Sequence, residues 1–375
     1  MAVEQVATEH CHRSPARRPG WSAWPAIAAL LLLSACSTFQ SGSEPAAPPA
    51  PVAPPAPPPE VVTPQMQAAR DNLKVIAALQ ERLYRVAAPL LINNADLCKS
   101  QARNLLGFTA KNKYSYPGEY AEASRAVLGY DDVLQVSGVL AGSGAARAGL
   151  RKGDDLVAAG GKPLPKGRNA ESKAAAVFAP LTANSASLNM TIARNGSNQT
   201  LNVPVTRACA FRVDLGNADN VNAYNDGSRV LLTRGMINFA QNDEAIAYVM
   251  AKELAHNILG HAGQMRSTAT MSSIIDNLAS VRPDLTMLVG SAGVRPMPSD
   301  YDVAADNLAL YMLARAGYNI GNVRSFWQRL SGQYPATVLN GYTAIHPNVT
   351  ARLAAMERSV SEIKAKQAAK RPLLP

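Results

Sequence analysis

Apolar residues recur at helical spacing along much of the chain. Leu73, Ile76, Leu83 and Leu90 form one stripe, preceded by Thr63-Pro64 as a cap with proline in the first turn, and predict a helix running toward Asn93. Ile246, Val249, Met250 and Leu254 form a second, which Asn242 can cap, Glu244 favours electrostatically and Gly260 ends, so a helix with one buried flank is predicted over 242–260. Met271, Ile274, Ile275 and Leu278 make a third, ended near Pro283, and a fourth helix starts after Pro298-Ser299-Asp300 and reaches Gly317. Val323, Trp327 and Leu330 suit a short packing helix; Leu353, Met356, Val360 and Ile363 suit a last one, with Thr350 as its cap and a solvated end after Lys364.

From Leu105 to Arg207 the pattern changes to short apolar runs cut by Gly and Pro. Val133 to Val136, Leu188 to Ile192 and Leu201 to Val205 read as strands, as does Arg229 to Thr233 farther on. The class is therefore α+β, a mainly helical part that carries the strand Arg229 to Thr233 beside a β-rich part. From Ser37 to Val62 the chain is Pro, Ala, Gly and Ser ending in a proline run. It cannot build a core, favours extended polyproline II, and reads as a tether.

Composition narrows the function by exclusion. A chain of 375 residues has room for two domains, and its net charge of +10 is compatible with an acidic partner. The basic residues are scattered, however, and aromatics make up only 6%, so a nucleic-acid surface of stacking rings in a basic groove is not supported. Arg13, Arg17 and Arg18 precede an apolar run from Ala26 to Leu33 that stops at Ser34-Ala35-Cys36, the order of a secretory signal and too short a run to span a membrane as a mature helix. Leu33-Ser34-Ala35-Cys36 resembles a bacterial lipobox. That resemblance implies cleavage before Cys36, lipidation of Cys36, and, with Ser37 next, sorting to the periplasmic side of the outer membrane. Cys11 would leave with the leader, and Cys98 and Cys209 remain, either as a disulfide in an oxidising compartment or as two buried thiols.

Ser143-Gly144-Ala145-Ala146-Arg147-Ala148-Gly149-Leu150-Arg151-Lys152-Gly153-Asp154 closely resembles the signature segment of bacterial PDZ domains. Locally it is a short helix ended by Gly149 and a turn through Gly153 into a strand. Leu105-Leu106-Gly107-Phe108 resembles the PDZ loop that receives a peptide carboxylate on backbone N–H groups, which implies that Leu106, Gly107 and Phe108 bind an added peptide strand.

Lys252-Glu253-Leu254-Ala255-His256 stands one residue away from a His-Glu-x-x-His zinc helix, in which two imidazoles one turn apart hold the metal and the Glu acts as general base. Together with Asn222-Ala223-Tyr224 ahead of a strand, Ala304-Ala305-Asp306 and His346-Pro347, it resembles the HtpX-like family of gluzincin metallopeptidases, which includes periplasmic quality-control proteases. The resemblance implies a zincin-like domain, an edge strand at Asn222, Ala223 and Tyr224 lining a substrate cleft, Glu253 at the general-base position, His256 at the one remaining ligand position, and supporting roles for Asp306 and His346. Lys252 and Ala304 occupy the other two ligand positions. The implied organisation is a signal and lipobox over 1–36, a tether over 37–62, a helical segment over 63–98, a PDZ-like domain over 99–207 and a metallopeptidase-like domain over 208–375.

Zinc sites use three or four protein ligands, and two of three are replaced here. Asp302, two residues before Ala304, should point elsewhere on a regular helix; His261 lies past the helix-ending Gly260, and nothing in the sequence fixes His346. The ammonium of Lys252 is expected to replace the metal's charge by pairing with Asp306 or Asp302. Two functions follow. One is a non-catalytic binder of unfolded or extended protein segments, anchored to the outer membrane through Cys36, with no cofactor. The other is a zinc metalloendopeptidase with a rearranged site built on His256 with His346 or Asp302.

Overall fold

The computed structural model describes residues 62–375 apart from position 184 and the segments 263–267, 287–295 and 336–341. The leader, the lipobox with Cys36 and nearly all of the tether lie outside the described residues. Helix α1 (Pro64–Ile92) begins where the Thr63 side chain accepts from Met66 N at 3.2 Å, with proline in its first turn. Of its buried stripe, Leu73 packs with Tyr116, Tyr120 and Tyr130, and Ile76, Leu83 and Leu90 enter the main core.

After α1 the chain enters the β-rich part through β1 (Ala102–Leu105). The sheet that follows contains β2 (Phe108–Lys111), β3 (Gln135–Val139), β4 (Asp155–Ala159), β5 (Lys162–Pro163), β6 (Ser187–Arg194) and β7 (Ser197–Pro204), in the order β2-β3-β4-β6-β7 with β5 on β4. Helix α2 (Glu119–Leu128) fills the long connection between β2 and β3, α3 (Gly144–Arg147) is the short helix of the signature segment, and α4 (Ala170–Ala183) lies against the sheet. Leu134, Val136, Leu156, Met190, Ile192 and Val203 give this part a core of its own. The strand predicted from Val133 begins two residues later and runs to Val139.

The chain leaves through β8 (Thr206–Cys209), which pairs antiparallel with β1 and places Ala102 opposite Cys209. Entry and exit are thus held side by side, and Cys98 and Cys209 form a disulfide with Cα atoms 5.5 Å apart.

The helical part opens with β9 (Arg212–Gly216), β10 (Ala223–Asn225) and β11 (Arg229–Thr233) in the order β10-β11-β9, leaving β10 at one edge. The helices are α5 (Arg234–Ala240), α6 (Asp243–Ile258), α7 (Thr268–Ala279), α8 (Ser299–Arg315), α9 (Val323–Gln333), α10 (Tyr342–Ile345) and α11 (Val349–Ala368). Asn242 caps α6 by accepting from Ala245 N at 2.9 Å. The apolar stripe predicts one buried flank for this helix, but every residue from Ala245 to Asn257 is buried. With α1, α8 and the small sheet packed around it, α6 is the axis of the core, and a helix enclosed on all sides needs no polar face.

Two features of the last helix differ from expectation. It starts at Val349, so Thr350 lies inside its first turn and not at its cap, and it continues through Lys364 to Ala368. The end then folds back, with Arg315 donating to Leu373 O at 3.2 Å and Lys366 to Leu374 O at 2.7 Å.

Candidate metal centre

Helices α6 and α8 pack directly against one another, and the polar groups of the core gather where they meet. Lys252, Glu253 and His256 come from α6, Asp302 and Asp306 from α8, His346 from the turn after α10, and Arg352 from α11. Each is at most 3% exposed, so none of these groups relies on bulk water.

Lys252 Nζ donates to Asp302 Oδ1 at 2.8 Å and to Asp306 Oδ1 at 2.9 Å. Arg352 completes the arrangement from the other side, donating from Nε to Asp306 Oδ2 at 2.6 Å and from Nη2 to Oδ1 at 3.0 Å. Two carboxylates thus meet two cations inside the core, and such a buried set holds only because partners and hydrogen bonds compensate the loss of hydration. Burial alone would raise the carboxyl of Asp306, but Arg352 and Lys252 outweigh it and hold the group below the usual range. Asp302 follows the same logic, with burial opposed by His346 and Lys252, and is held far down.

Asp302 and Asp306 are four residues apart and share one face of α8, whereas Ala304, two residues from each, is exposed on the opposite side. Helical geometry therefore brings Asp302 into the cluster and leaves the Ala304 side chain outside it. His346 also joins, placing Nδ1 on Asp302 Oδ1 and Nε2 3.8 Å from Glu253 Oε1. The sequence supplied no reason for its position; α10 and Arg352, which donates to His346 O at 3.5 Å, supply it.

His261, expected to face elsewhere, lies against His256 with Nδ1 atoms 3.0 Å apart and stacks on Tyr301 at 4.3 Å between ring centres. Gly260, at φ +74°, reverses the chain so that His261 N donates to His256 O at 2.9 Å, and the ring turns back over the helix end. Burial first, and then the Lys252 ammonium, push the His256 imidazole down to about 3, so it is neutral over the ordinary pH range.

Glu253 accepts one hydrogen bond on each carboxylate oxygen. Asn225 at the end of β10 donates to Oε2 at 2.6 Å and the Tyr342 hydroxyl donates to Oε1 at 3.0 Å. Neither Asn225 nor Tyr342 belongs to a motif or apolar stripe of the sequence. Arg352 left a faint signal, a charged residue directly before Leu353 of the last apolar stripe.

His256, Asp302 and His346 offer ligand atoms within 4.8 Å of one another. Among the described residues His256 Nε2 and Asp302 Oδ2 have no hydrogen-bond partner, and His256 Nε2 lies 3.4 Å from Asp302 Oδ1. Those two atoms suit a cation, and the donor types suit zinc. Against this stands Lys252, whose ammonium already occupies Asp302 Oδ1. Of the edge-strand residues, Asn222 is buried and accepts from Ala223 N at 2.9 Å, and Tyr224 receives a hydrogen bond from Asn222 at 3.0 Å. In the β-rich part, Leu106 and Gly107 are buried and Phe108, half-buried, meets Phe178 of α4 edge to face at 5.8 Å.

The sequence profile of Peptidase family M48 matches residues 183–360. The chain is 22% identical over 149 residues to the mitochondrial metalloendopeptidase OMA1 of Schizosaccharomyces pombe, covering 38% of this chain and 44% of that one. It is 24% identical over 143 residues to mitochondrial metalloendopeptidase OMA1 of Arabidopsis thaliana, covering 37% and 29%. Less than half the length of either relative is therefore spanned. Among solved structures, the HtrA3 PDZ domain bound to a phage-derived ligand aligns at 15% identity and TM-score 0.22, covering 28% of this chain and 88% of that one. The HtrA-type protease AlgW with a decapeptide aligns at 24% identity and TM-score 0.21, covering 28% and 30%. The chain thus has an M48-family metallopeptidase-like fold with a partial, atypical His-Asp-His metal-binding triad, next to a small β-rich PDZ-like region.

Proposed function

We propose that this protein is a non-catalytic, peptidase-like binder of extended polypeptide segments, anchored to the outer membrane of a bacterial envelope and facing the periplasm, with the HtpX-like peptidases as its relatives. The observation that carries the non-catalytic reading is the double ion pair of Lys252 with Asp302 and Asp306. The ammonium supplies at this point the positive charge that a metal would supply. A divalent ion drawn to Asp302 would meet that ammonium at close range, where like charges in a poorly hydrated interior repel strongly.

The state of Glu253 supports the same reading. A general base works on a water activated beside it, and each oxygen of Glu253 is already held by one donor, Tyr342 or Asn225, so that the side chain is anchored in the core. Binding is supported by the part-exposed edge strand β2 of the PDZ-like region, since an edge strand can hold an extended chain by main-chain hydrogen bonds; β10 also ends its sheet, but its three residues are buried. The envelope location rests on the leader and lipobox resemblance and on the Cys98–Cys209 disulfide, a bond suited to an oxidising compartment.

One observation favours a second reading, a zinc metalloendopeptidase whose metal is held by His256, Asp302 and His346: among the described residues His256 Nε2 and Asp302 Oδ2 have no hydrogen-bond partner. Metal content separates the two. Protein purified without chelator, equilibrated with excess zinc and desalted, should retain essentially none on the first reading. About one tightly held zinc per chain, with metal-dependent cleavage of an unfolded protein that is lost in His256→Ala, would establish the second.

A further inference from the structure

We propose that Lys111 sets the specificity of the PDZ-like groove, favouring a polypeptide C-terminus with an acidic side chain three or four residues before its last residue. The inference rests on the peptide-binding reading above. A cavity of about 820 Å³ follows β2 from Leu106 and Gly107 at its start to Lys111 at its end.

At the start of β2 the carbonyls of Leu106 and Gly107 are taken by Ala145 N at 3.0 Å and Leu140 N at 2.8 Å. The amides of Leu106 and Gly107 donate to no partner among the described residues. Successive free N–H groups in such a turn attract an anionic end, here a terminal carboxylate. Because β2 is an edge strand, a ligand anchored there runs antiparallel to it, toward Lys111. Four residues at about 3.3 Å each cover roughly 13 Å, which brings the third or fourth residue upstream of the ligand's end alongside the ammonium.

The charges around the cavity leave Lys111 with an unmet demand. Lys152 is paired with Glu81 and Arg212 with Asp214, while Glu171, which accepts from Ser115, keeps its charge and makes no ion pair with Lys111. Lys111, half-buried, stands 5.0 Å over the Tyr116 ring and makes no ion pair among the described residues. An acidic side chain is what complements it. The opposite wall of the cavity does not offer a competing strand edge. Gln80 closes the free side of β9 by donating to Val213 O and accepting from Leu215 N, both at 3.0 Å. The ligand backbone therefore pairs with β2 alone, while Ile76, Ala77 and Phe211 present an apolar wall to its outer side.

The test uses fluorescent peptides of about seven residues with a free carboxylate and an apolar final residue, differing only by Glu, Gln or Lys at both upstream positions. At low salt the wild-type protein should bind the Glu peptide about fivefold more tightly than the Lys peptide, the scale of a partly exposed ion pair. Lys111→Glu should reverse the order, and Lys111→Gln, a milder change, should abolish the difference. Equal affinity for the three peptides in the wild-type protein, or an unchanged preference in Lys111→Glu, overturns the inference while leaving peptide binding intact. Equal binding of an amidated peptide overturns the carboxylate anchor that sets the register. If no peptide binds at all, the peptide-binding reading itself fails, and this inference with it.

Discussion

Lys252 Nζ lies 2.8 Å from Asp302 Oδ1 in a site closed to bulk solvent. The two residues stand on different helices, so this contact also fixes how α6 and α8 pack. Removing the ammonium would leave Asp302 and Asp306 facing one another with only Arg352 and His346 in support. Lys252→Ala is therefore expected to cost about 3–5 kcal/mol, the scale for breaking a buried ion pair from one side. Urea denaturation of wild type and variant measures the loss. Double replacement of Lys252 and Asp302 by apolar residues should cost less than the two single changes summed, because each single change strands a charge that the double change removes.

The PDZ-like part should depend on Gly107. At φ +88°, with an added Cβ falling 2.2 Å from Ser143 Cβ, this position has neither the backbone freedom nor the space for a side chain. Gly107→Ala should displace the loop and the start of α3, destabilise by about 1–3 kcal/mol, and remove peptide binding at β2. Zinc content and the near-ultraviolet signature of the helical part should stay as they were.

Closing the disulfide ties together two cysteines separated by 111 positions. A loop of that length loses much of its unfolded-state freedom when closed, worth roughly 4–5 kcal/mol in the chain-entropy picture and often less in practice. Reduction, or Cys98→Ser, should lower the denaturant midpoint by the corresponding amount. Since Cys98 and Cys209 join the two ends of the β-rich part, proteolysis in the reduced protein should begin at the β1 and β8 ribbon.

Asp226 contributes a defined part of the acid sensitivity, beside Asp302 and Asp306. Asp226 is buried, which alone would raise its carboxyl, but Arg229 and the hydrogen bonds from Ser228 and Ser272 bring it down to about 2 from an ordinary 3.8. The folded chain therefore binds this proton less readily than the unfolded chain. The stabilisation is fully present above about pH 4 and is lost as the pH falls toward 2. The stability difference between wild type and Asp226→Asn should be largest near neutral pH and should shrink across that window.

Much of the scaffold could be read from the sequence because apolar spacing survives any change in the site. The stripes of Leu73 to Leu90 and Met271 to Leu278 and the strand Arg229 to Thr233 needed only periodicity. The site was harder because its geometry is tertiary. Asp302 and Ala304 differ by two positions, and local sequence gives no reference for which of them faces α6; packing against α6 and α11 decides it. His261 required knowing that Gly260 turns the chain back, and Asn225, Tyr342 and Arg352 act through contacts 28, 89 and 46 positions away. The full burial of α6 was hidden for a related reason. Its many alanines carry little periodic signal, and its polar residues are inside because they satisfy one another.

The placement of Ala304 leads to a sharp prediction about restoring a metal. Lys252→His would set a second imidazole one turn from His256 on α6 and remove the competing ammonium, with Asp302 already facing the pair from α8. That single change should be enough to create tight zinc binding, read as about one zinc per chain after desalting. It should also give a rise in melting temperature on adding zinc that a chelator reverses, corresponding to about 2.7 kcal/mol when free zinc exceeds Kd a hundredfold. Adding Ala304→Glu should change neither result, because that side chain points to solvent. If zinc binding instead required both changes, α8 would have to be rotated from the orientation seen here, and the pairing of Asp302 with Lys252 would have to be abandoned along with it.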